Sequence, residues 1–410
     1  MAYRVYLVGG AVRDALLGLE PRENDWVVVG ARPEDLFDRG FRQVGASFPV
    51  FLHPDSSEEY ALARRERKEG HGYHGFAVDF GPDVTLEEDL RRRDLTINAM
   101  ARDAEGRLVD PHGGRRDLER RVLRHVSPAF AEDPLRVLRV ARFAARLAPL
   151  GFEVHPSTLD LMAEVTRSGE LNHLVPERVW AEIAGAMAEP RPGMFVDVLR
   201  GCGALAELLP EVDALFGVPQ PERFHPEVDT GLHTTMTMDL AARMGWGAEV
   251  VFSLLLHDVG KALTPRAEWP SHVRHEQRGV PLAHRVCERL RAPVRFRDLA
   301  VKVTALHLRC HRLTEMKPAA KMRLLEDADL LRRPEGLVDF ARACEADYRG
   351  RGGFEDRPYP QAAILAEVLD AARSVRARDI DTEGLKGSQV GRRLREARIE
   401  AIADTAGRAG

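Results

Sequence analysis

Tyr3-Arg4-Val5-Tyr6-Leu7-Val8-Gly9-Gly10-Ala11-Val12-Arg13-Asp14-Ala15-Leu16-Leu17-Gly18 and, shortly after, Glu23-Asn24-Asp25-Trp26-Val27-Val28-Val29-Gly30 are the residues on which the reading of this chain turns. Val5, Leu7 and Val8 form a short apolar run that stops at Gly9-Gly10, so the pattern predicts strand, glycine turn, short helix and second strand. Without Cβ atoms the two glycines let backbone N–H groups approach a ligand closely. The following helix points its N-terminus back at the turn, which favours an anion such as a phosphate. Arg13, one turn in, adds a fixed positive charge suited to phosphate oxygens. The second strand is read as starting Glu23-x-Asp25, and a period of two puts both carboxylates on one face. Acidic groups opposite a phosphate-binding turn suit a Mg2+-dependent phosphoryl transfer. Gly-Gly or Glu-x-Asp alone is an ordinary turn or a solvated strand end; the specificity lies in their order and closeness.

Working outward, 410 residues accommodate two to four structural units. The apolar fraction, 44%, is that of a globular protein. No apolar run approaches the roughly 20 residues of a membrane span; the longest, near Val250 to Leu256, is interrupted by Ser253. The N-terminus does not read as a signal peptide, because its apolar stretch is very short and no cleavage site follows. Cys202, Cys287, Cys310 and Cys344 are far apart with no C-x-x-C spacing, so free thiols in a reducing cytoplasm are expected. The net charge of −4 does not announce a nucleic-acid binder, but Arg91 to Arg146 carries 14 Arg against 8 acidic residues. That excess suits a phosphate-facing surface, a solvated helix face being the other reading.

In chain order, a short helix is expected at Pro33–Arg39, with strands at Phe41–Val44, Val50–His53 and Glu59–Ala63. Lys68 to Gly75, with three glycines, reads as a mobile loop. Arg91-Arg92-Arg93 would repel one another without an anion nearby. Asp133 and Pro134 read as cap and first position of a helix on which Asp133, Arg136, Arg139 and Arg142 follow at i+3 steps. From Pro156 the apolar spacing is helical, with helices at Leu159–Thr166, Pro176–Ala188, Met194–Cys202 and Ala204–Leu209. His257-Asp258-Val259-Gly260-Lys261 closes an apolar helix. Adjacent His and Asp there cannot both face a core unsatisfied. With His233, His272, His275 and His307 they can form a mono- or dinuclear metal site of imidazole and carboxylate ligands.

Gly9-Gly10-Ala11-Val12-Arg13-Asp14 with Asp25-Trp26, Arg92-Arg93-Asp94-Leu95-Thr96-Ile97-Asn98-Ala99, Glu132-Asp133-Pro134-Leu135-Arg136, Glu177-Arg178 with Glu182, and His257-Asp258-x-Gly260-Lys261 together resemble the bacterial multifunctional CCA proteins. These are class II CCA-adding tRNA nucleotidyltransferases with a C-terminal HD phosphohydrolase domain. The likeness runs through most of the chain, including Gly384-Leu385-Lys386-Gly387 in the tail. One departure is that Glu23 stands where the family's metal motif normally has Asp.

The resemblance implies an α+β fold: a polymerase-β-like nucleotidyltransferase head over residues 1–125, with a small mixed sheet, then an all-helical neck and body over 126–229. An HD domain over 230–331 and a helical tail over 332–410 complete it. It implies that Glu23, Asp25 and Glu59 are catalytic, with Mg2+ on Glu23 and Asp25. Gly10, Arg13 and Arg93 would position the triphosphate, while Asp94 and Asn98 hold their surroundings in place. Asp133 and Arg136 would read CTP or ATP by the base edge, with Arg139 and Arg142 assisting. Glu177, Arg178 and Glu182 would contribute helix packing, including an ion pair. His233, His257, Asp258, His275 and His307 would form the HD metal and phosphohydrolase site, for which nickel is one candidate metal.

The implied partners are tRNA (acceptor stem and 3′ end), CTP and ATP, in a cytoplasmic monomer or homodimer without a membrane. Two other readings stay open here: a bacterial poly(A) polymerase, which shares the head but usually ends in a basic extension, and an HD phosphohydrolase whose head only binds RNA. Incorporation of CTP as well as ATP separates the first of these; phosphatase activity without polymerisation would mark the second.

Overall fold

The structure is a computed structural model that describes residues 3–44, 50–68, 76–381 and 383–406. The chain forms two compact units, Met1–Ala186 with Met194–Leu208, and Met187–Gly193 with Leu209–Gly410.

The first unit opens with β1 (Arg4–Val8), α1 (Gly10–Leu16), β2 (Asp25–Val29), α2 (Pro33–Phe37), β3 (Arg42–Val44), β4 (Val50–Leu52) and β5 (Glu59–Leu62). The expected strands are present within a residue at each end. β6 (Arg64–Lys68) and β7 (Phe76–Phe80) form a separate two-stranded ladder, followed by α3 (Leu86–Arg91), β8 (Ala101–Arg102) and β9 (Leu108–Val109). The stretch expected to be a mobile loop lies, beyond Lys68, outside the described residues.

The seven-stranded sheet runs β3-β4-β5-β2-β1-β8-β9. It is mixed, because β2 pairs parallel with β5 and antiparallel with β1. Alternation puts Val27 in a core with Val8, Leu90 and Ala101, while its neighbour Val28 packs on the opposite face with Leu36, Phe51 and Leu62.

Gly9 ends β1 in a backbone conformation, φ 68°, that side chains rarely adopt, and its N–H is held by Met100 O at 3.2 Å. The antiparallel register therefore begins at Val8↔Asp25. β2 starts at Asp25 rather than Glu23, because the partner strand has already turned into α1. Glu23 lies two residues ahead of the strand. Asp25 is in turn the register partner of Glu59 on β5.

α4 (Gly114–Glu119), β10 (Val122–Leu123), α5 (Arg136–Leu147) and β11 (Glu153–Val154) lead into α6 (Pro156–Arg167), α7 (Pro176–Met187), α8 (Pro192–Gly201) and α9 (Ala204–Leu208). α5 begins two residues later than expected. A short 3-10 turn, Pro128–Glu132, precedes it, and Asp133 Oδ1 accepts from Leu135 N at 3.1 Å while Asp133 O accepts from Arg136 N at 3.0 Å. Asp133 thus caps the turn into the helix.

The second unit contains α10 (Pro210–Asp213), α11 (Thr230–Arg243), α12 (Ala248–Leu256), α13 (His275–Arg289), α14 (Val294–His311), α15 (Pro318–Asp327), α16 (Leu337–Arg349), α17 (Gln361–Ser374) and α18 (Gly387–Ala406). α12 is buried from Val250 to Leu256, with α11, α14 and α16 packed on it. The four cysteines are free and buried. Among the described residues no helix is long and apolar enough to cross a membrane.

Candidate active sites

A cleft of about 470 Å³ in the first unit is lined by all ten head and neck candidates: Gly10, Arg13, Glu23, Asp25, Glu59, Arg93, Asp133, Arg136, Arg139 and Arg142. Asp25 is at its rim of carboxylates. Burial, and then the charge of Glu23, lift the Asp25 carboxyl above its ordinary range; Glu59 adds to this, and Arg93 and Arg139 oppose it. Glu23, Asp25 and Glu59 offer the oxygen donors that a divalent ion takes, and the charges of the other two are felt at Asp25, although the three do not form a group with all ligand atoms within 4.8 Å as the residues of the second unit do. Gly9 leaves room for the arginine across from them: a Cβ there would sit 2.9 Å from Arg93 NH1.

The arginine run finds its counter-charge within the chain. Asp89 on α3, fully buried, pairs with Arg92 at 2.6 Å and Arg93 at 3.3 Å. An external anion is therefore not required to hold these residues together. Arg13 is likewise committed. Its guanidinium is 1% exposed, donates to Asn98 Oδ1 at 2.6 Å and to Asp14 Oδ1 at 2.9 Å, and lies over the Phe143 ring. Its place is to brace the turn, at the back of the cleft, rather than to reach out as a free phosphate receptor.

Asn98 passes this bracing on. Its amide donates to Asp94 Oδ1 at 3.0 Å, and Asp94 Oδ2 accepts from Arg139 Nε at 2.8 Å. Burial works against the charge on Asp94, but Arg139 and Asn98 outweigh it and hold the carboxyl well below the usual range. Asp94 and Asn98 thus hold the loop in place, and they also join it to α5.

The neck motif does more than pack helices. Arg178 donates to Asp133 Oδ2 at 3.0 Å, and Glu182 lies 2.8 Å from Arg142 and 3.7 Å from Arg139. Arg136 is buried and donates to Ala129 O at 2.5 Å. Both oxygens of Asp133 therefore have donors, one backbone and one side-chain. Sequence reasoning had Arg178 as a packing residue; its spacing from Glu182, one helical turn, was the available sign that both face α5.

The second unit assembles another site. Among the described residues three groups of potential ligands lie here, each within 4.8 Å: His233, His257 and Asp347, and Asp258, His275 and His307, all buried, and His233 again with His225 and Glu227. All five expected HD residues are thus brought together. The sixth, Asp347 on α16, came from the stretch read as a tail. It lies on the buried face with Phe340, Ala343 and Cys344, and an acid at that spacing was the sign of it. His272 is not a member; its Nε2 donates to Pro219 O at 2.8 Å.

Gly260 explains part of the motif: a Cβ would meet His275 O at 2.0 Å, where the turn after Asp258 crosses the start of α13. His257 Nε2 and Asp258 Oδ1 are buried with no hydrogen-bond partner, although they sit among imidazoles and carboxylates. Burial works against charge on His257, yet Asp258 and Asp347 carry its imidazolium up to about 10, while burial pushes His307 down to about 3. Orphaned ligand atoms around two buried carboxylates fit a divalent metal.

Against known families, residues 5–124 match the "Poly A polymerase head domain", 151–216 the "Probable RNA and SrmB-binding site of polymerase A", and 230–337 the "HD domain". The multifunctional CCA protein of Alkalilimnicola ehrlichii is 59% identical over 400 residues, covering 98% of this chain and 97% of the relative. The chain belongs to the multifunctional CCA proteins. The member from Methylococcus capsulatus is 58% identical over 97% of this chain and 94% of its own. Among solved structures, this CCA protein resembles the Bacillus stearothermophilus CCA-adding enzyme in complex with CTP, with a TM-score of 0.63 at 25% identity over 99% of this chain and 90% of that one. Membership also supports the α+β reading and the nucleotidyltransferase and HD domains, both of which imply divalent metal use.

Proposed function

We propose that this chain adds and repairs the 3′-terminal CCA of tRNA from CTP and ATP without a template, and that its HD site hydrolyses 2′,3′-cyclic phosphates and phosphomonoesters. The observation that carries the first part is the single cleft in which Glu23, Asp25 and Glu59 face Arg93, with Asp133 and Arg136 on its wall. When bound there, Mg2+ supplies Lewis acidity to the terminal 3′-hydroxyl of tRNA and charge neutralisation to the departing pyrophosphate.

The chain's own part is positional. Arg93 receives the triphosphate, beside the backbone at Gly10. Arg13 keeps that turn rigid through Asn98 and Asp14. Asp133 accepts from the exocyclic amino group that cytosine and adenine share at the base-pairing edge, and a neighbouring guanidinium supplies the donor. Arg139 and Arg142, set by Asp94 and Glu182, line the approach. Helical surface in the neck and body holds the acceptor stem by shape and phosphate contacts.

In the second unit, His233, His257, Asp258, His275, His307 and Asp347 would hold the metal, as the two fully buried groups. A hydrolytic HD centre is supported by those buried, unpartnered ligand atoms. A transition metal such as nickel matches its imidazole content better than Mg2+ does.

The test is incubation with tRNA lacking its last three nucleotides, with Mg2+ and labelled CTP or ATP. Incorporation of both is expected. ATP alone would make this a poly(A)-type polymerase, and neither would end the reading. Glu23→Asp, assayed in parallel, reports whether the longer side chain limits metal binding. Release of phosphate from p-nitrophenyl phosphate and opening of 2′,3′-cyclic AMP, with Ni2+ or Mn2+ added, check the HD half.

A further inference from the structure

In the first unit, α5 meets the head along one face. Arg136, Arg139, Phe143 and Arg146 recur on it at steps of three, four and three residues, so all four lie on one stripe. Arg136 lines the cleft at the start of that stripe. The other three each meet a residue of the head. Asp94 accepts from Arg139 at 2.8 Å, the Arg13 guanidinium stands 5.0 Å from the centre of the Phe143 ring, and Asp14 accepts from Arg146 at 2.7 Å.

Asp14 holds the far end of this stripe. It lies on α1, one helical turn after Gly10, and is 2% exposed. Its Oδ1 accepts from Arg13 Nε at 2.9 Å, and its Oδ2 from Arg146, whose side chain is 15% exposed. The second bond joins residues 132 positions apart. Neither Asp14 nor Arg146 lines the cleft, so any effect on the nucleotide must pass through α5 or the turn.

The 12 residues of α5 span about 18 Å. Over that length a tilt of about 5° at one end displaces the other by about 1.5 Å. Misplacement on the order of 1 Å costs about 10²-fold in rate where reacting groups must align. The end at stake is the one that carries Arg136 and follows Asp133, where bases are sorted by the position of donors and acceptors. Removing the Asp14 carboxylate leaves the Arg146 guanidinium buried without that counter-charge, which favours a shift of the helix end towards water. Arg139, nearer the middle, is then the pivot. We propose that Asp14 is a positioning residue for base selection: through Arg146 it fixes the tilt of α5 against the turn at Gly10, and with it the distance from Asp133 and Arg136 to the carboxylates of the cleft. This rests on the reading of Asp133 and Arg136 as the base-reading pair.

The experiment is steady-state incorporation of CTP, ATP and UTP, each supplied alone with Mg2+, into tRNA lacking its 3′-terminal nucleotides. Full-length wild type, Asp14→Asn, Arg146→Ala, Arg146→Lys and the Asp14→Asn/Arg146→Ala double variant are compared. In each of the first two variants kcat/KM for CTP and ATP is expected to fall about 10–100-fold. UTP has no matched hydrogen bonds to lose, so its smaller kcat/KM should change little, and the preference for CTP over UTP should narrow by about the same factor. The double variant should be about as selective as either single one, because both residues act through one pair. Arg146→Lys keeps the charge and should recover part of the selectivity. A variant that merely folds less well lowers all substrates alike, so equal falls for CTP and UTP would overturn the proposal. Selectivity lost in Asp14→Asn but kept in Arg146→Ala would place the effect in Arg13 and the turn, and would overturn it too. Should Asp14→Asn not fold, the two Arg146 variants carry the test. Wild type that used UTP as readily as CTP, or incorporated neither CTP nor ATP, would bring down the base-reading account itself.

Discussion

At the scale of single residues, Asp94 is the best-defined electrostatic element of the polymerising cleft. It is 5% exposed and shares its oxygens among Leu95 N, Asn98 and Arg139. Breaking a fully buried pair costs about 3–5 kcal/mol. Arg139, at 36% side-chain exposure, keeps some solvent and Glu182 nearby, so about 2 kcal/mol is the expected loss in Asp94→Asn. The carboxyl is depressed in the folded state. Its stabilisation is therefore complete above the unfolded value, near pH 4, and fades as the pH falls through the lower folded value. Urea melts of the two proteins should differ at neutral pH and draw together in acid. A gap that stays constant down to low pH would contradict the assignment.

Arg178 invites a second substitution at this scale. It donates to Asp133 Oδ2 at 3.0 Å. Arg178→Ala should leave the metal carboxylates untouched but let the Asp133 carboxylate rotate. The expectation is a rise in KM for CTP and ATP of about tenfold, the scale of one lost charge-assisted hydrogen bond, with a smaller change in kcat. Steady-state incorporation with each nucleotide measures it, and a loss confined to kcat would argue against positioning of the base.

Between elements, close approaches decide which residues can be tolerated. The turn after Asp258 crosses α13 with so little space that a methyl on Gly260 would overlap His275 O at 2.0 Å. Gly260→Ala should push α13 away and move His275 off Asp258, which it now meets at 3.1 Å. Weakened Co2+ binding with CTP incorporation kept is the expected result, since the crossing lies wholly in the second unit. The same logic operates at Gly9, where both the backbone angle and Arg93 exclude a side chain. In the neck, α5 and α7 are joined by ion pairs as well as by apolar contact, so the arginines that line the cleft are held in one arrangement.

At the scale of the whole molecule, each candidate site is built within one of the two units. Asp347→Ala should therefore abolish metal-dependent phosphate release as completely as His257→Ala does, while CTP and ATP incorporation continues near the wild-type rate. Parallel assays on one preparation decide this. If CTP addition fell with phosphatase in both variants, independence of the two chemistries would be refuted. A chelator should stop both, with Mg2+ restoring addition and a transition metal restoring hydrolysis.

Much of this was legible along the chain because the deciding signals are local. Strand, glycine turn and helix follow from apolar runs that stop at Gly9-Gly10, and the HD motif is five adjacent residues. The family resemblance that such patterns carry named the ten head and neck candidates, and all ten line one cleft. Tertiary structure decided what the side chains do there. Glu23 falls ahead of β2 because its partner strand has already turned away at Gly9. Arg13 is spent on Asn98, 85 positions distant, and the arginine run is balanced by a buried Asp89. Asp347 joins His233 from 114 residues along. Periodicity along a chain reports which face of an element is apolar. It carries no record of which distant charge that face will meet, and in a buried site the partner fixes protonation, geometry and role.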